Sequence, residues 1–313
     1  MRKIKTAVIG VGYLGKFHAA KYKELENSDL VAVVDANHDT AKTIAKKYGV
    51  EACTDYRKLL GKVEAVSIVT PTVLHFPIAK DFITHGSHVL IEKPIAVTTA
   101  EADKLVELAK EQNRIIQVGH IERFNAAMLG LDKIAGKPDF IESHRLAPFN
   151  PRATDVNVVL DLMIHDIDII LDIVKSAVKT IAVSGTSVLT DTTDIANGRL
   201  EFANGCVANV TASRVSMKTE RKMRIFQPNS YITMDFHKRT INVYRKGREE
   251  MYPGIPNIKS LKKSYDDNDA LMVEIKSFLN SIETGTPAVV SGEDGRRALD
   301  VAIRISNLLS EGS

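Results

Sequence analysis

The chain has 313 residues, of which 44% are hydrophobic and 26% are charged, so it is long enough for two domains with buried cores. Its 42 basic and 39 acidic residues leave a net charge of +3, a balance that argues against a nucleic-acid-binding protein. We find no apolar signal region and no run of about 18 apolar residues, which predicts a cytoplasmic protein without a membrane segment. Cys53 and Cys206 form no C-x-x-C pair and are predicted to be buried, reduced thiols.

From residue 1 to about residue 120, apolar runs alternate with amphipathic stretches. We predict six strands here, at 5–9, 30–34, 51–54, 65–69, 88–91 and 115–118. Helices are predicted between them, at 14–25, 40–48, 56–60, 75–85 and 99–112. Strands that alternate with helices are typical of a doubly wound parallel sheet. This order predicts an α/β Rossmann domain over residues 1–122.

After Gly119 the pattern changes, because strands follow one another without helices between them. A helix at 126–135, a strand at 140–146 and a helix at 156–174 come first. Further strands are predicted at 180–188, 195–202, 207–213, 222–226, 231–235 and 241–244. The segments 253–256 and 259–269 are predicted to be loop, and helices at 270–283 and 294–309 close the chain. The pattern predicts a second, α+β domain over 123–313, built on a large open mixed or antiparallel sheet.

The first predicted strand runs directly into the motif Gly10-x-Gly12-x-x-Gly15. In a dinucleotide fold these glycines permit the tight turn, the approach of the pyrophosphate and close helix–strand packing, and the helix start binds phosphate. Asp35 ends the next strand, where its carboxylate suits the ribose hydroxyls of NAD and would repel the 2′-phosphate of NADP. The next three residues contain no arginine, so NAD is favoured over NADP. The alternative is an ordinary glycine turn with an incidental aspartate.

Two further patterns carry acid–base groups. The strand at 88–91 ends in Glu92-Lys93-Pro94, and the carboxyl end of a parallel strand faces the ligand crevice. Asp161 and His165 are an i,i+4 pair on a predicted helix, where a carboxylate can orient an imidazole. The pair has too few convergent ligands for a metal, and we predict none. An ordinary surface lysine and an exposed charged stripe are the alternatives.

Other polar residues lie near the ends of predicted strands. Thr70-Pro71 and His75 follow the strand at 65–69, where they would run along the dinucleotide. The stretch from His120 to Asn125 lies at the predicted domain junction, where substrate pockets are common, although a polar hinge is the alternative.

Together these patterns resemble the Gfo/Idh/MocA oxidoreductases, the group of glucose-fructose oxidoreductase and inositol dehydrogenase. The resemblance spans nearly the whole chain and rests on the motifs just described, taken in order. It implies a nucleotide-binding domain and a domain with an open mixed sheet, whose open face makes a homodimer or homotetramer. The stretch 154–157 departs from the pattern, since many relatives have a glycine pair there.

The resemblance implies that Lys93, Asp161 and His165 form the catalytic group of an NAD(P)-dependent dehydrogenase. His165 would take the proton of a sugar hydroxyl while hydride leaves the same carbon for nicotinamide, and Lys93 would hydrogen-bond that oxygen. Asp161 would orient the substrate or the base. The implied cofactor-binding residues are Gly10, Gly12, Tyr13, Leu14, Gly15, Asp35, Thr70, Pro71, His75, Glu92 and Lys93.

The 120–125 stretch also resembles a subgroup related to UDP-N-acetylglucosamine 3-dehydrogenases. We therefore expect His120, Arg123 and Asn125 to bind the substrate, and the reaction to oxidise a UDP-amino sugar at its 3-hydroxyl. The alternatives are a free polyol or sugar such as myo-inositol, a non-sugar such as a bilin or dihydrodiol, and a non-catalytic NAD-binding sensor. A set of basic residues could meet a diphosphate, although a solvated strand edge is the favoured interpretation: Lys218, Arg221, Lys222 and Arg224.

Overall fold

The structure is a computed structural model that describes residues 2–131, 134, 136–150, 156–266 and 268–311. The chain divides into two compact units. Unit 1 comprises Met1–Ile121 and Asp269–Leu299, and unit 2 comprises Glu122–Asn268 and Asp300–Ser313. The first boundary lies beside the predicted one at residue 122, whereas the return of a late segment to unit 1 has no counterpart in the prediction.

Unit 1 is built on a six-stranded sheet. Its strands are β1 (Ile4–Ile9), β2 (Ser28–Val34), β3 (Glu51–Cys53), β4 (Ala65–Ile68), β5 (His88–Glu92) and β6 (Ile116–Gly119). The order is β3-β2-β1-β4-β5-β6, and the strand pairs are parallel. The predicted Rossmann sheet is confirmed. Because the order runs outward from β1 and β4 in both directions, the carboxyl ends of these two strands mark the crevice where such sheets bind nucleotides.

The helices of unit 1 connect these strands and add a late element. They are α1 (Gly15–Glu24), α2 (His38–Tyr48), α3 (His75–Thr84), α4 (Thr99–Glu111) and α7 (Ala270–Thr284), with short 3₁₀ turns at Tyr56–Leu59 and Thr72–Leu74. Helix α7 places Ile275, Phe278 and Leu279 in the core that also holds Val8 and Tyr22. This apolar packing explains why a segment so late in the chain belongs to unit 1.

Unit 2 is built on an eight-stranded mixed sheet, as predicted. Its strands are β7 (Phe140–Leu146), β8 (Val178–Thr186), β9 (Ile195–Phe202), β10 (Val207–Ser213), β11 (Glu220–Gln227), β12 (Ser230–Asp235), β13 (Thr240–Tyr252) and β14 (Ile255–Ser264). The order is β14-β13-β12-β11-β7-β10-β9-β8, with β7 and β10 parallel and the other pairs antiparallel. The unit also contains α5 (Ala126–Leu131) and α6 (Ile164–Val174), and α8 (Gly292–Glu311) ends in it. Helix α6 packs on β7 and β10.

The loop predicted for 253–256 and 259–269 is wrong over most of its length. Residues 255–264 form β14, which pairs with a β13 much longer than the predicted 241–244. The turn between them uses Gly254, whose φ is +77°. The prediction failed because no residue from 244 to 264 is buried, so the alternation of buried residues that marks the start of β13 does not continue. Lysines such as Lys262 and Lys263 suit an edge strand, since they discourage pairing with another chain.

The predicted continuous helix over 156–174 is also corrected. Val159–Met163 form one π-helical turn, and α6 begins only at Ile164. The N–H of Ile164 reaches the carbonyl of Val159, five residues back, which is the hydrogen bond that defines a π turn. The predicted helix at 126–135 ends at Leu131, and residues 132, 133 and 135 lie outside the described residues.

Both cysteines are buried and free, as predicted. Burial raises the pKa of the Cys53 thiol and of the Cys206 thiol to about 11, so both remain protonated and unreactive at neutral pH. Within the described residues, the helices lack the length and apolar composition needed to cross a membrane.

Candidate active site

The glycine motif forms the turn between β1 and α1. The φ of Gly10 is +85°, and a Cβ there would lie 2.5 Å from the carbonyl oxygen of Val69, so only glycine fits. A Cβ on Gly15 would overlap the carbonyl of Gly10. Because glycine has no Cβ, the start of α1 packs closely on the turn. At Gly12 no described atom lies within 4 Å of the place a Cβ would take. That open backbone position fits the approach of a pyrophosphate.

Asp35 lies at the carboxyl end of β2, directly beside this turn. Its Oδ2 accepts the N–H of Val11 at 3.0 Å, and its Oδ1 accepts the N–H of Asn37 at 2.9 Å. The carboxylate is therefore fixed in orientation, and each oxygen retains a lone pair for a ribose hydroxyl. The glycine turn and Asp35 together fit the adenosine and pyrophosphate of a nicotinamide dinucleotide.

The loops that follow β4 and β5 are joined by His75. Its Nδ1 lies 2.8 Å from the carbonyl oxygen of Pro94, and its Nε2 lies 2.8 Å from that of Thr70. The side chain is buried, and burial lowers the pKa of His75 despite both carbonyls. The peptide bond between Lys93 and Pro94 is cis. The contacts thus give His75 a structural role at this edge, and its predicted contact with the cofactor remains a prediction.

Glu92 and Lys93 lie at the carboxyl end of β5, as predicted. The carboxylate of Glu92 is 3.2 Å from Nε2 of His18, and its Oε2 accepts the backbone N–H of Lys93 at 3.3 Å. Burial alone would raise the pKa of Glu92, but the hydrogen bond from His18 and the charge of Lys93 hold it below its usual range. Glu92 is therefore a carboxylate that the fold keeps ionised.

Sequence reasoning missed a second acid in this region. Glu274 of α7 is fully buried, and within the described residues neither of its carboxyl oxygens has a hydrogen-bond partner. Burial and the neighbouring charge of Glu92 raise the pKa of Glu274 well above its usual value. Its helix was predicted, and a charged residue among Val273, Ile275 and Phe278 was the available signal.

In unit 2, Asp161 lies in the π turn and His165 in the first turn of α6. Both side chains are half-buried. Asn157 caps this segment, because its Oδ1 accepts the N–H groups of Val159 and Leu160 at 3.1 Å each. The two candidates are thus carried by a capped helical start whose irregular turn is of a kind frequent at functional sites. Thr154 and Asp155, from the departing stretch, lie outside the described residues.

The three predicted substrate-binding residues are buried or half-buried. Arg123 is buried and pairs with Asp172 at 2.8 Å and with Asp168 at 3.5 Å. Asn125 donates to the carbonyl of Phe236 at 3.2 Å. His120, in unit 1, is also buried. These contacts give Arg123 and Asn125 structural roles, and their binding of a substrate remains a prediction.

The basic cluster is not on a strand edge, which corrects that interpretation. Strand β11, which carries three of its members, lies between β7 and β12 in the interior of the sheet order. Each member has a carboxylate partner: Lys218 and Lys222 pair with Glu220, Arg221 pairs with Glu122 and Arg224 pairs with Glu142. These ion pairs favour the structural interpretation of the cluster.

Comparison with known proteins agrees with this geometry. Residues 4–120 match the model "Oxidoreductase family, NAD-binding Rossmann fold", and residues 134–230 match "GFO/IDH/MocA C-terminal domain". Over 306 residues, 97% of each chain, the sequence is 40% identical to UDP-N-acetylglucosamine 3-dehydrogenase of Acidithiobacillus ferrooxidans. The chain belongs to the Gfo/Idh/MocA family.

Relatives within the Gfo/Idh/MocA family differ in their similarity to this chain. A structure of the Acidithiobacillus ferrooxidans UDP-N-acetylglucosamine 3-dehydrogenase GnnA superposes with a TM-score of 0.94 at 39% identity, covering 99% of each chain. Myo-inositol 2-dehydrogenase of Thermotoga maritima is 27% identical over 98% of this chain and 97% of its own. The chain is therefore an oxidoreductase of this family whose Rossmann domain binds a nicotinamide cofactor.

Proposed function

We propose that this protein oxidises a UDP-activated N-acetylamino sugar at its 3-hydroxyl, with NAD as the hydride acceptor. The observation that carries the proposal is the likeness along the whole chain to UDP-N-acetylglucosamine 3-dehydrogenase, at 40% identity against 27% for the inositol relative. The products are the 3-keto sugar nucleotide, the reduced cofactor and one proton.

The catalytic roles follow the family motifs. When bound, the cofactor supplies the carbon that accepts the hydride. His165 takes the hydroxyl proton, and Lys93 donates a hydrogen bond to the same oxygen as it becomes a carbonyl. Asp161 orients the substrate or the imidazole of His165. We assign positioning and proton transfer to these residues because the hydride chemistry belongs to the cofactor.

The preference for NAD rests on Asp35. Two backbone N–H groups fix its carboxylate, and the family motif implies that this residue binds the adenosine ribose, so a 2′-phosphate there would meet a negative charge. The next residues are Ala36, Asn37 and His38, and none of them is an arginine that could offset that repulsion. We further propose that the open face of the unit 2 sheet joins copies of the chain into a homodimer or homotetramer.

The test is turnover by the purified protein. With NAD and UDP-N-acetylglucosamine we expect NADH to form, seen as an absorbance rise at the reduced nicotinamide band, and we expect much slower formation with NADP. Free N-acetylglucosamine serves as the matched substrate without the nucleotide, and myo-inositol represents the other class of dehydrogenase.

Two outcomes would contradict the proposal in different ways. Turnover of myo-inositol without turnover of the sugar nucleotide would assign the protein to the polyol dehydrogenases. Tight NAD binding without turnover of any of these alcohols would support a non-catalytic sensor, and calorimetry with NAD alone measures that binding.

A further inference from the structure

The carboxylate of Glu92 lies between Gly119 and His18. On one side is Gly119 at the end of β6, where a Cβ would come within 2.9 Å of the carboxyl carbon of Glu92. On the other side is His18 of α1, whose side chain is 2% exposed while that of Glu92 is 18% exposed. The carboxylate of Glu92 is therefore confined by β6 and α1 and keeps only limited exposure to solvent.

A chain of hydrogen bonds runs from the buried interior to the carboxylate of Glu92. The hydroxyl of Tyr22 is 2.9 Å from Oγ of Ser67, which is 3.2 Å from Nδ1 of His18. Burial raises the pKa of Tyr22, so its O–H remains a donor at the buried end. When Nδ1 of His18 accepts the hydroxyl hydrogen of Ser67, Nε2 carries the ring hydrogen and donates it to Glu92.

Charged and titratable groups lie near Glu92 on three other elements. His18 is on α1, His75 is on α3 and Glu274 is on α7, while Lys93 directly follows Glu92 in the chain. Glu274 has no hydrogen-bond partner among the described residues and is uncharged, so the negative charge of this pair resides on Glu92. The fold thus keeps one acid ionised at the strand end and a second acid neutral behind it.

We propose that His18 is a positioning residue that holds the Glu92 carboxylate as an anion at the carboxyl end of β5, where its charge favours the oxidised cofactor over the reduced one. The oxidised nicotinamide ring carries a formal positive charge and the reduced ring does not. A fixed anion at the cofactor edge of the sheet therefore stabilises the two states unequally. The inference rests on the proposed function only in placing Glu92 in the cofactor site.

The experiment measures binding of the two cofactor states without any sugar. NADH binding is followed by its fluorescence, and NAD binding by competition against NADH. We compare the wild type with His18→Leu, His18→Gln and Glu92→Gln, and with the double variant His18→Leu/Glu92→Gln. His88→Leu is the matched control, because His88 also lies in unit 1 and its Nδ1 also accepts a hydrogen bond, from the N–H of Ile115 at 2.9 Å.

We expect His18→Leu and Glu92→Gln each to lower the preference for NAD over NADH by about three- to tenfold. His18→Gln should restore most of it, since its amide can donate in place of Nε2. The double variant should match Glu92→Gln alone, because His18 acts through Glu92. His88→Leu should leave the ratio unchanged.

Several results would overturn the inference. These are an unchanged ratio in folded His18→Leu, additive effects in the double variant, or no rescue by glutamine. If His18→Leu does not fold, Ser67→Ala replaces it and should lower the ratio about twofold, since the hydroxyl only orients His18. These binding ratios remain measurable if no sugar nucleotide is turned over, so failure of this inference and failure of the proposed function are distinguishable.

Discussion

The two units bury their acidic side chains in different ways. In unit 2, Arg145 donates to Asp166 at 2.6 Å and to Glu122 at 2.9 Å, and Arg214 donates to Asp194 at 2.7 Å. In unit 1, Glu92 is half-buried and has a histidine donor, whereas the buried Glu274 has no hydrogen-bond partner among the described residues. In unit 2 these buried acids form salt bridges with arginines, whereas in unit 1 the buried Glu274 has a raised pKa and remains neutral.

This difference gives Glu122 of unit 2 and Glu274 of unit 1 opposite effects on how stability depends on pH. Burial would raise the pKa of Glu122, but the charges of Arg145 and Arg221 hold it below its usual value. Its stabilising contribution is present above the unfolded pKa and is lost as pH falls through the folded pKa. The pKa of Glu274 is raised, so its contribution is present at low pH and is lost as pH rises. At neutral pH the paired Glu122 thus adds to the stability of the fold, whereas Glu274 lowers it.

The largest expected effect is on activity and concerns unit 1. Lys93→Ala should lower kcat by about 10²–10⁴-fold, because the variant lacks the donor to the reacting oxygen. Lys93 is half-buried at a strand end, and the free energy of unfolding should change by no more than about 0.5 kcal/mol. Steady-state kinetics and urea unfolding check the two parts. Near-normal kcat would remove Lys93 from the catalytic group.

Next in size is a loss of stability in unit 2. Arg145→Met should lower the free energy of unfolding by about 3–5 kcal/mol, because two buried carboxylates lose their shared partner. The matched control is Arg224→Met, whose partner Glu142 is partly exposed, with an expected cost of about 0–1 kcal/mol. Urea unfolding of both variants measures the contrast, and equal costs would contradict the structural role given to Arg145.

A smaller effect tests the neutral acid. Glu274→Gln removes the ionisable group, so the variant should gain stability over the wild type as pH rises from 5 to 8. The slope is at most about 1.4 kcal/mol per pH unit, set by one proton. Melting temperatures across this range measure the difference. A difference that does not grow with pH would show that Glu274 does not retain its proton in the folded state.

The smallest effect concerns the acid at the end of β2. Asp35→Asn removes the charge but keeps an oxygen for the N–H of Val11, and it should raise the affinity for NADPH relative to NADH by about tenfold. Fluorescence titration with both reduced cofactors measures the ratio. An unchanged ratio would mean that Asp35 does not set the preference for NAD.

The Rossmann sheet was predictable because each of its buried strands is a short apolar run closed by a turn residue. The β13–β14 hairpin was not, since Ile258 and Leu261 are exposed and the polar residues Lys259 and Ser260 separate them. The π turn at Val159–Met163 was hidden for another reason: its residues are as apolar as those of an ordinary helix. The periodicity of hydrophobic residues indicates which face of an element is buried. It therefore predicts neither a strand whose two faces are both exposed nor a local change of helical pitch.

The candidate site was predictable where function depends on local order. Gly10, Asp35 and Lys93 each follow a strand, and a parallel sheet brings the carboxyl ends of its strands to one edge. The pairing of His18 with Glu92 depends on how α1 packs on the sheet, which no local pattern encodes. For the same reason, the salt bridge between Arg123 and Asp172 could not be foreseen, and the binding of a substrate by Arg123 stays a prediction.

The return of α7 to unit 1 affects how the protein is made. The core around Val8 and Tyr22 is completed only by Ile275, Phe278 and Leu279. At a synthesis rate of roughly 5–20 residues per second, the first 121 residues leave the ribosome roughly 7–30 s before that helix does. During this interval an apolar face of the nascent domain stays open to water and to chaperones. A fragment that ends at residue 122 keeps that face open permanently, and we expect it to aggregate on expression.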